Sequence, residues 1–128
     1  MSDTIRRAVE FSLEQRLCLA HFNPLFPTPG TPLYDRLASE GRLRFDKWWL
    51  SDEYRYGDAM FTPARMTADE LTEGCLSARK EFCAYSSVLK RALDLKANSR
   101  SGPAFGMYLI SNLISKREIY RKQGVALG

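Results

Sequence analysis

The residues of this 128-residue chain best able to do chemistry are three cysteines, one histidine and an adjacent pair of carboxylates. Their spacing limits what they can do. Cys75 and Cys83 stand eight apart and Cys18 lies far upstream, with no C-x2-C and no C-x3-C-x2-C anywhere. Zinc and iron–sulfur sites draw several thiolates or imidazoles from closely spaced positions. Scattered thiols and the single His21 do not meet that need, so no metal ligand is assigned within this chain. The cysteines are expected as small apolar residues of a core. Their odd number argues against a closed disulfide framework and for a reducing compartment, which points to the cytoplasm. Asp69 and Glu70 sit where a helix begins, and capping and the helix dipole account for carboxylates there. His21 has no obvious nucleophile or orienting partner. No G-x-S-x-G elbow, P-loop or G-x-G-x-x-G turn occurs. No catalytic residue is therefore assigned, and the chain by itself is not expected to be a self-contained enzyme.

The elements that position these side chains belong to one domain, because 128 residues suffice for one and hardly for two. With 45% hydrophobic and 27% charged residues the composition is that of an ordinary globular protein, which argues against disorder and collagen-like repeats. No apolar run approaches the ~20 residues that cross a bilayer, so no membrane span is expected. The opening residues alternate charge with apolar side chains and do not read as a secretory signal. Nineteen Lys and Arg against fifteen Asp and Glu leave +4, which permits acidic partners without demanding them.

Along the chain, Ile5, Val9, Leu13 and Leu17 recur at i+4 and predict a helix over about Asp3 to Leu17, capped by Ser2 or Asp3. Cys18 to Asn23 then reads as a short buried strand carrying His21, ended by Pro24, Pro27 and Pro29. Gly30, Thr31 and Pro32 announce the next helix as turn, N-cap and N1, with Leu33, Tyr34, Leu37 and Ala38 inward and Gly41 as a left-handed C-cap. Arg42 to Arg65 is irregular, and its Trp48, Trp49, Tyr54, Tyr56 and Phe61 suit a strap packed on a small core. Ala59 to Thr62 reads as a short strand. Thr67 and Glu70 form a capping box that opens a long helix, extending to about Lys96 unless kinked near Ser86 and Ser87. Leu71, Cys75, Ala78, Phe82, Tyr85, Leu89 and Leu93 form its apolar stripe, with Arg79, Lys80, Lys90 and Arg91 on the opposite face. A break at Asn98 to Gly102 precedes a final helix with Pro103 in its first turn, Phe105, Leu109, Leu113 and Ile114 buried, and Lys116, Arg117, Arg121 and Lys122 near its end.

The stretch Ala20–Tyr34, Ala-His-Phe-Asn-Pro-Leu-Phe-Pro-Thr-Pro-Gly-Thr-Pro-Leu-Tyr, with Arg36-Leu37 and Glu40-Gly41-Arg42-Leu43 after it, resembles the C-terminal part of radical S-adenosylmethionine (SAM) enzymes. The cobalamin-binding branch is the nearest in pattern. The resemblance continues through Trp48 or Trp49, Phe61 and Pro63, Met66, Glu70-Leu71, Gly74, Glu81-Phe82 and Ser87 to Arg91. It implies an α+β fold, mostly α-helical: the last βα unit of a partial (βα)6 barrel in residues 1–44, an aromatic-rich irregular segment in 45–66, and a two-helix C-terminal extension in 67–128. It also implies that Phe22, Asn23, Pro24 and Leu25, at the end of the strand, lie near the adenine of SAM. The family's cluster motif C-x3-C-x2-C and any cobalamin domain are absent from this chain.

What the resemblance implies about mechanism therefore concerns a parent enzyme. There a reduced [4Fe–4S] cluster cleaves SAM to a 5′-deoxyadenosyl radical, and cobalamin is a further cofactor of the branch. This chain would hold none of these cofactors alone. It would contribute one wall of the SAM pocket and part of a lid, with the rest of the barrel as its partner. An isolated chain with an unpaired strand is expected to self-associate. The alternative reading is an independent helical module whose basic face binds a protein or RNA. Dispersed charges on amphipathic helices do not favour nucleic acid.

Overall fold

Four hydroxyl residues each stand immediately before a helix, and in the computed structural model each closes a cap. The structure describes residues 2–45 and 47–126. Helix α1 spans Asp3–Glu14, α2 Pro32–Ser39, α3 Ala68–Phe82, α4 Tyr85–Ala92 and α5 Gly102–Lys122, with a 3-10 turn at Trp48–Leu50. Ser2, Thr31, Thr67 and Ser101 accept hydrogen bonds from the amides of Ile5, Tyr34, Glu70 and Ala104. At Thr67 the box is complete, because the Glu70 carboxylate accepts the Thr67 amide at 2.7 Å. Gly41 closes α2 with φ 63°, the left-handed geometry that glycine adopts without Cβ strain. At the end of α1 the same reversal is made by Arg16, at φ 49°.

The core lies where α1, α3 and α5 meet. Phe82, Cys83 and Ile119 are its buried centre, with Leu13, Ala20, Phe22 and Leu76 packed around them. Gly74 lets α1 approach α3 closely, since a Cβ there would stand 2.7 Å from the Ile5 Cδ1. The aromatic segment packs on itself as a strap. Trp48 meets Phe26, Trp49 and Tyr54 at centroid distances of 5.5, 5.6 and 5.7 Å, and Tyr54 is buried.

The expected α+β architecture is not what forms. Among the described residues there is no strand and no sheet, only isolated antiparallel bridges pairing Leu43 with Phe61 and Arg55 with Ala126. The fold is helical, and no βα barrel unit is seen. Ala59 to Thr62 thus contributes a single bridge rather than a strand. Cys18 to Asn23 joins no ladder, and side chains take the carbonyls where it begins. Arg91 donates to the carbonyls of Leu17 and Cys18 at 2.8 and 3.0 Å, and Asn112 to that of Cys18 at 3.2 Å. The segment is also not buried throughout: Ala20 and Phe22 turn inward, while Cys18, Leu19, His21 and Asn23 are exposed.

The long helix divides earlier than the Ser86–Ser87 kink. It ends at Phe82, and α4 restarts at Tyr85. In an unbroken helix the Phe82 carbonyl would accept from residue 86; instead it accepts from the Arg91 guanidinium at 2.8 Å. Arg79 and Arg91, expected on a solvated face, are both buried. Conversely Tyr85, Leu89 and Leu93 are exposed, as are Phe105, Leu113 and Ile114 of α5, whose inward face is Tyr108, Asn112 and Ile119. Of the cysteines, Cys75 and Cys83 are core residues and Cys18 is exposed; all three are free thiols.

Thr67→Ala should destabilise the chain by about 0.5–2 kcal/mol in chemical denaturation. Its capping partner Glu70 is held below the usual carboxylate range by the hydrogen bonds from Thr67. The stability that this carboxylate adds, distinct from that of the Thr67 hydroxyl, is present above the ordinary glutamate pKa and is lost as pH falls through the lowered one. Arg91→Met strands the Leu17 and Phe82 carbonyls and the Asn112 amide oxygen, while the Cys18 carbonyl keeps its bond from Asn112; at roughly 1–3 kcal/mol for each stranded group it should cost more than the Thr67 cap. Arg91→Lys should not restore it, because an ammonium cannot reproduce the planar fork. A thiol-reactive probe in native buffer should label Cys18 quickly and Cys75 and Cys83 only on unfolding, read by peptide mass.

Candidate functional site

The segment after α1 alternates, and that alternation builds the site. Phe22 turns in and meets Phe82 edge-to-face, with centroids 5.8 Å apart. Pro24 is buried as well. His21 and Asn23 face the other way, into a cleft of about 210 Å³ whose walls are α3 and α5. Arg79 and Cys83 of the α3 end, Glu118, Lys122 and Ser115 of α5, and Tyr56 of the aromatic segment add its other polar groups. Leu25, just beyond, is 65% exposed.

Each charged group of the cleft is tied down. The buried Arg79 donates from Nη2 to the Gln123 Oε1 at 2.8 Å and from Nε to the Cys75 carbonyl at 3.4 Å. Glu118 pairs with Lys122 and Arg121 on its own helix. The Lys122 hydrogen bond holds the Glu118 carboxyl below the usual range, so it is an anion and a poor proton acceptor near neutrality. Burial pushes the Cys83 thiol up, outweighing the nearby Arg91 and Lys116 cations, and leaves it a protonated, weak nucleophile. The arrangement is suited to polar recognition, with cations, an amide and an imidazole on one rim. It does not present an activated nucleophile.

Of the four residues expected against SAM, the structure turns two toward solvent and two into the protein. Asn23 rims the cleft and Leu25 stands exposed beside it, whereas Phe22 and Pro24 are packing residues. Arg79 was the contributor least visible in the sequence, yet a signal exists. It lies four after Cys75 and three before Phe82, on the flank of the apolar stripe. Glu118 and Lys122 reach the cleft only because α5 folds back across the segment. Among the described residues no group of three His, Cys, Asp or Glu side chains is placed to hold a metal ion.

No known family profile matches the chain, and no solved structure matches it. It is similar to the bacteriochlorophyllide d C-12(1)-methyltransferase of Chlorobaculum tepidum, with 29% identity over 82 residues. The shared stretch is 64% of this chain and 17% of that protein, so the chain matches about a sixth of the length of its curated relative.

Proposed function

We propose that this chain is the C-terminal portion of a radical SAM enzyme of methyltransferase type, supplying one wall of the SAM pocket through Asn23 and Leu25. The observation that carries the reading is the similarity to a methyltransferase over most of this chain and a small part of the relative. It is supported by the cleft itself. At about 210 Å³ the space is below the roughly 300–1,000 Å³ of complete small-molecule sites, as one side of a shared pocket would be.

The residues present fit part of SAM and none of its cluster. Asn23 offers both a donor and an acceptor, suited to the edge of an adenine, and Leu25 offers an exposed apolar face for its ring. SAM, when bound, is the donor of the transferred group. The work of this chain is to orient it and keep water from its near side: Phe22 and Pro24 anchor the backbone so that Asn23 and Leu25 are held outward. No cluster of ligands suited to a [4Fe–4S] centre stands among the described residues. The cluster, and the cobalamin of the same branch, belong in this reading to the remainder of the enzyme. The aromatic strap over Phe26 is in a position to shield the same loop, as a lid would.

The in-frame coding sequence upstream of this stretch should encode C-x3-C-x2-C. In the complete enzyme Asn23→Ala should raise the KM for SAM by roughly 2–10-fold, the value of a lost hydrogen bond of about 0.5–1.5 kcal/mol. Cluster absorption should be unchanged. An upstream frame without the motif, or a wild-type KM in Asn23→Ala and Leu25→Ala alike, would refute the assignment.

A further inference from the structure

Among the described residues two arginines are buried, and they are used differently. Both Nη atoms of Arg91 donate, to three carbonyls and the Asn112 amide oxygen. Arg79 is 8% exposed, yet only one side of its guanidinium is engaged. Nε donates to the Cys75 carbonyl of its own helix at a long 3.4 Å, and Nη2 to the Gln123 Oε1 at 2.8 Å. Nη1 makes no hydrogen bond and Arg79 pairs with no carboxylate among the described residues. The fully buried side-chain nitrogens without a partner there are Trp48 Nε1 and Arg91 Nε, so Arg79 Nη1 is still reached by solvent. Arg79 lines the cleft that His21 and Asn23 face.

A guanidinium taken nine-tenths out of water and given only neutral acceptors is unfavourably placed until an anion reaches it. The other charges of the cleft decide which anion that is. Glu118 pairs with Lys122 and Arg121 on its own helix, so Arg79 is the unmatched charge of the wall. One unmatched cation suits a singly charged group. Glu118 on the same wall disfavours the further negative charge that a phosphate group carries near neutrality. A carboxylate is singly charged, and its paired oxygens match the guanidinium fork. His21, Asn23 and Tyr56 offer hydrogen-bonding groups on the same wall for atoms beside it.

We propose that Arg79 makes this cleft a recognition site for the carboxylate of a small-molecule ligand, with Nη1 donating to its oxygens. The carrier is SAM, whose methionine end bears a carboxylate, or a second substrate in the same pocket; the chemistry at Arg79 is shared. The inference goes beyond the SAM reading and stands on Arg79 without it.

The test is NMR titration of the full folded chain, read at the arginine Nε–H signals. Sodium propionate replaces sodium chloride at constant ionic strength, so that screening is unchanged. A carboxylate held by one guanidinium is a millimolar ligand, and Arg79 should shift saturably in that range while the exposed arginines do not. Propionamide, the uncharged analogue, should leave Arg79 unmoved, and inorganic phosphate should bind more weakly than propionate. Arg79→Lys keeps the charge and loses the fork, so it should weaken propionate binding about tenfold, read at the Asn23 and Gln123 side-chain amides. Gln123→Glu sets a carboxylate where Oε1 now accepts from Arg79. It should abolish propionate binding while helical circular dichroism is retained.

SAM and adenosine separate the carriers. If SAM shifts both Asn23 and Arg79 while adenosine shifts Asn23 alone, the carboxylate is that of SAM. If Arg79 still takes propionate with SAM bound at Asn23, the carboxylate belongs to a second ligand. Propionate at Arg79 with no response of Asn23 to SAM or adenosine bears against the SAM reading alone and leaves this inference standing. The inference is overturned if Arg79 shows no saturable shift, if the exposed arginines shift as it does, or if propionamide binds equally well. It is equally overturned if phosphate binds more tightly than propionate, or if Gln123→Glu binds propionate like the parent.

Discussion

A single buried guanidinium joins the parts of this molecule that are far apart in sequence. Arg91 is 1% exposed and has no carboxylate partner among the described residues. Its Nη1 donates to the Leu17 and Cys18 carbonyls, and its Nη2 to the Phe82 carbonyl and to Asn112 Oδ1 at 3.0 Å. Its carbon centre lies 3.7 Å from the centroid of the Phe82 ring. Burial lowers its pKa, yet a guanidinium remains protonated in proteins. The charge is tolerable because it is fully hydrogen-bonded at both Nη atoms and one of its acceptors closes a helix. Phe82 ends α3 and brings the negative end of that helix dipole, while Leu17 and Cys18 lie beyond the reversal that ends α1. Removing the cation would leave these segments joined only by the bonds of Asn112 to Cys18 and of Asn98 to Arg16 and the residue 91 backbone.

The same residue links two features that otherwise look unrelated. α3 stops at Phe82 because its carbonyl is spent on Arg91. The segment after α1 forms no ladder, and its first carbonyls are spent there too. With those ends fixed, Phe22 and Pro24 enter the core and Asn23 is left at the mouth of the cleft, facing Arg79 and the Glu118–Lys122 pair. The site's geometry is thus set by a contact outside it. Asn98 supports the arrangement from the far side, donating to the carbonyls of Arg16 and Arg91.

A second organising feature is polarity. The acidic N-terminal two-thirds holds the strap and the cleft loop, while the basic C-terminal third carries a helix with no charged residue from Gly102 through Ile114. A helix apolar on every side is one expected to be covered on every side. Here one face covers Phe82 and Arg91, and the opposite face, with Ile110, Leu113 and Ile114, is exposed. Packing within the chain satisfies half of what the sequence of α5 asks for.

The caps were legible because they are local. Thr31-Pro32, Gly41, and Thr67 with Glu70 determine where helices start or stop through bonds spanning a few residues, and Pro103 marks the first turn of α5; each lies where those residue types require. The tight loop into α2 was legible for the same reason, whereas the aromatic rings expected to pack on a small core pack largely on one another. The strand at Cys18 to Asn23 was not, because an apolar extended run specifies a strand only if a neighbour offers its backbone. Here Arg91 and Asn112, more than seventy residues away, offered side chains instead. Nor could periodicity distinguish a solvated arginine from a buried one at the edge of a stripe, which is why Arg79 and Arg91 were misplaced outward. Sequence by itself determined where α1, α2, α3 and α5 begin, the absence of a short-spaced cysteine motif and the net charge. Tertiary structure decided which cations are buried, which of residues 22–25 face outward, and which apolar faces remain uncovered, because each depends on partners that only folding brings within reach.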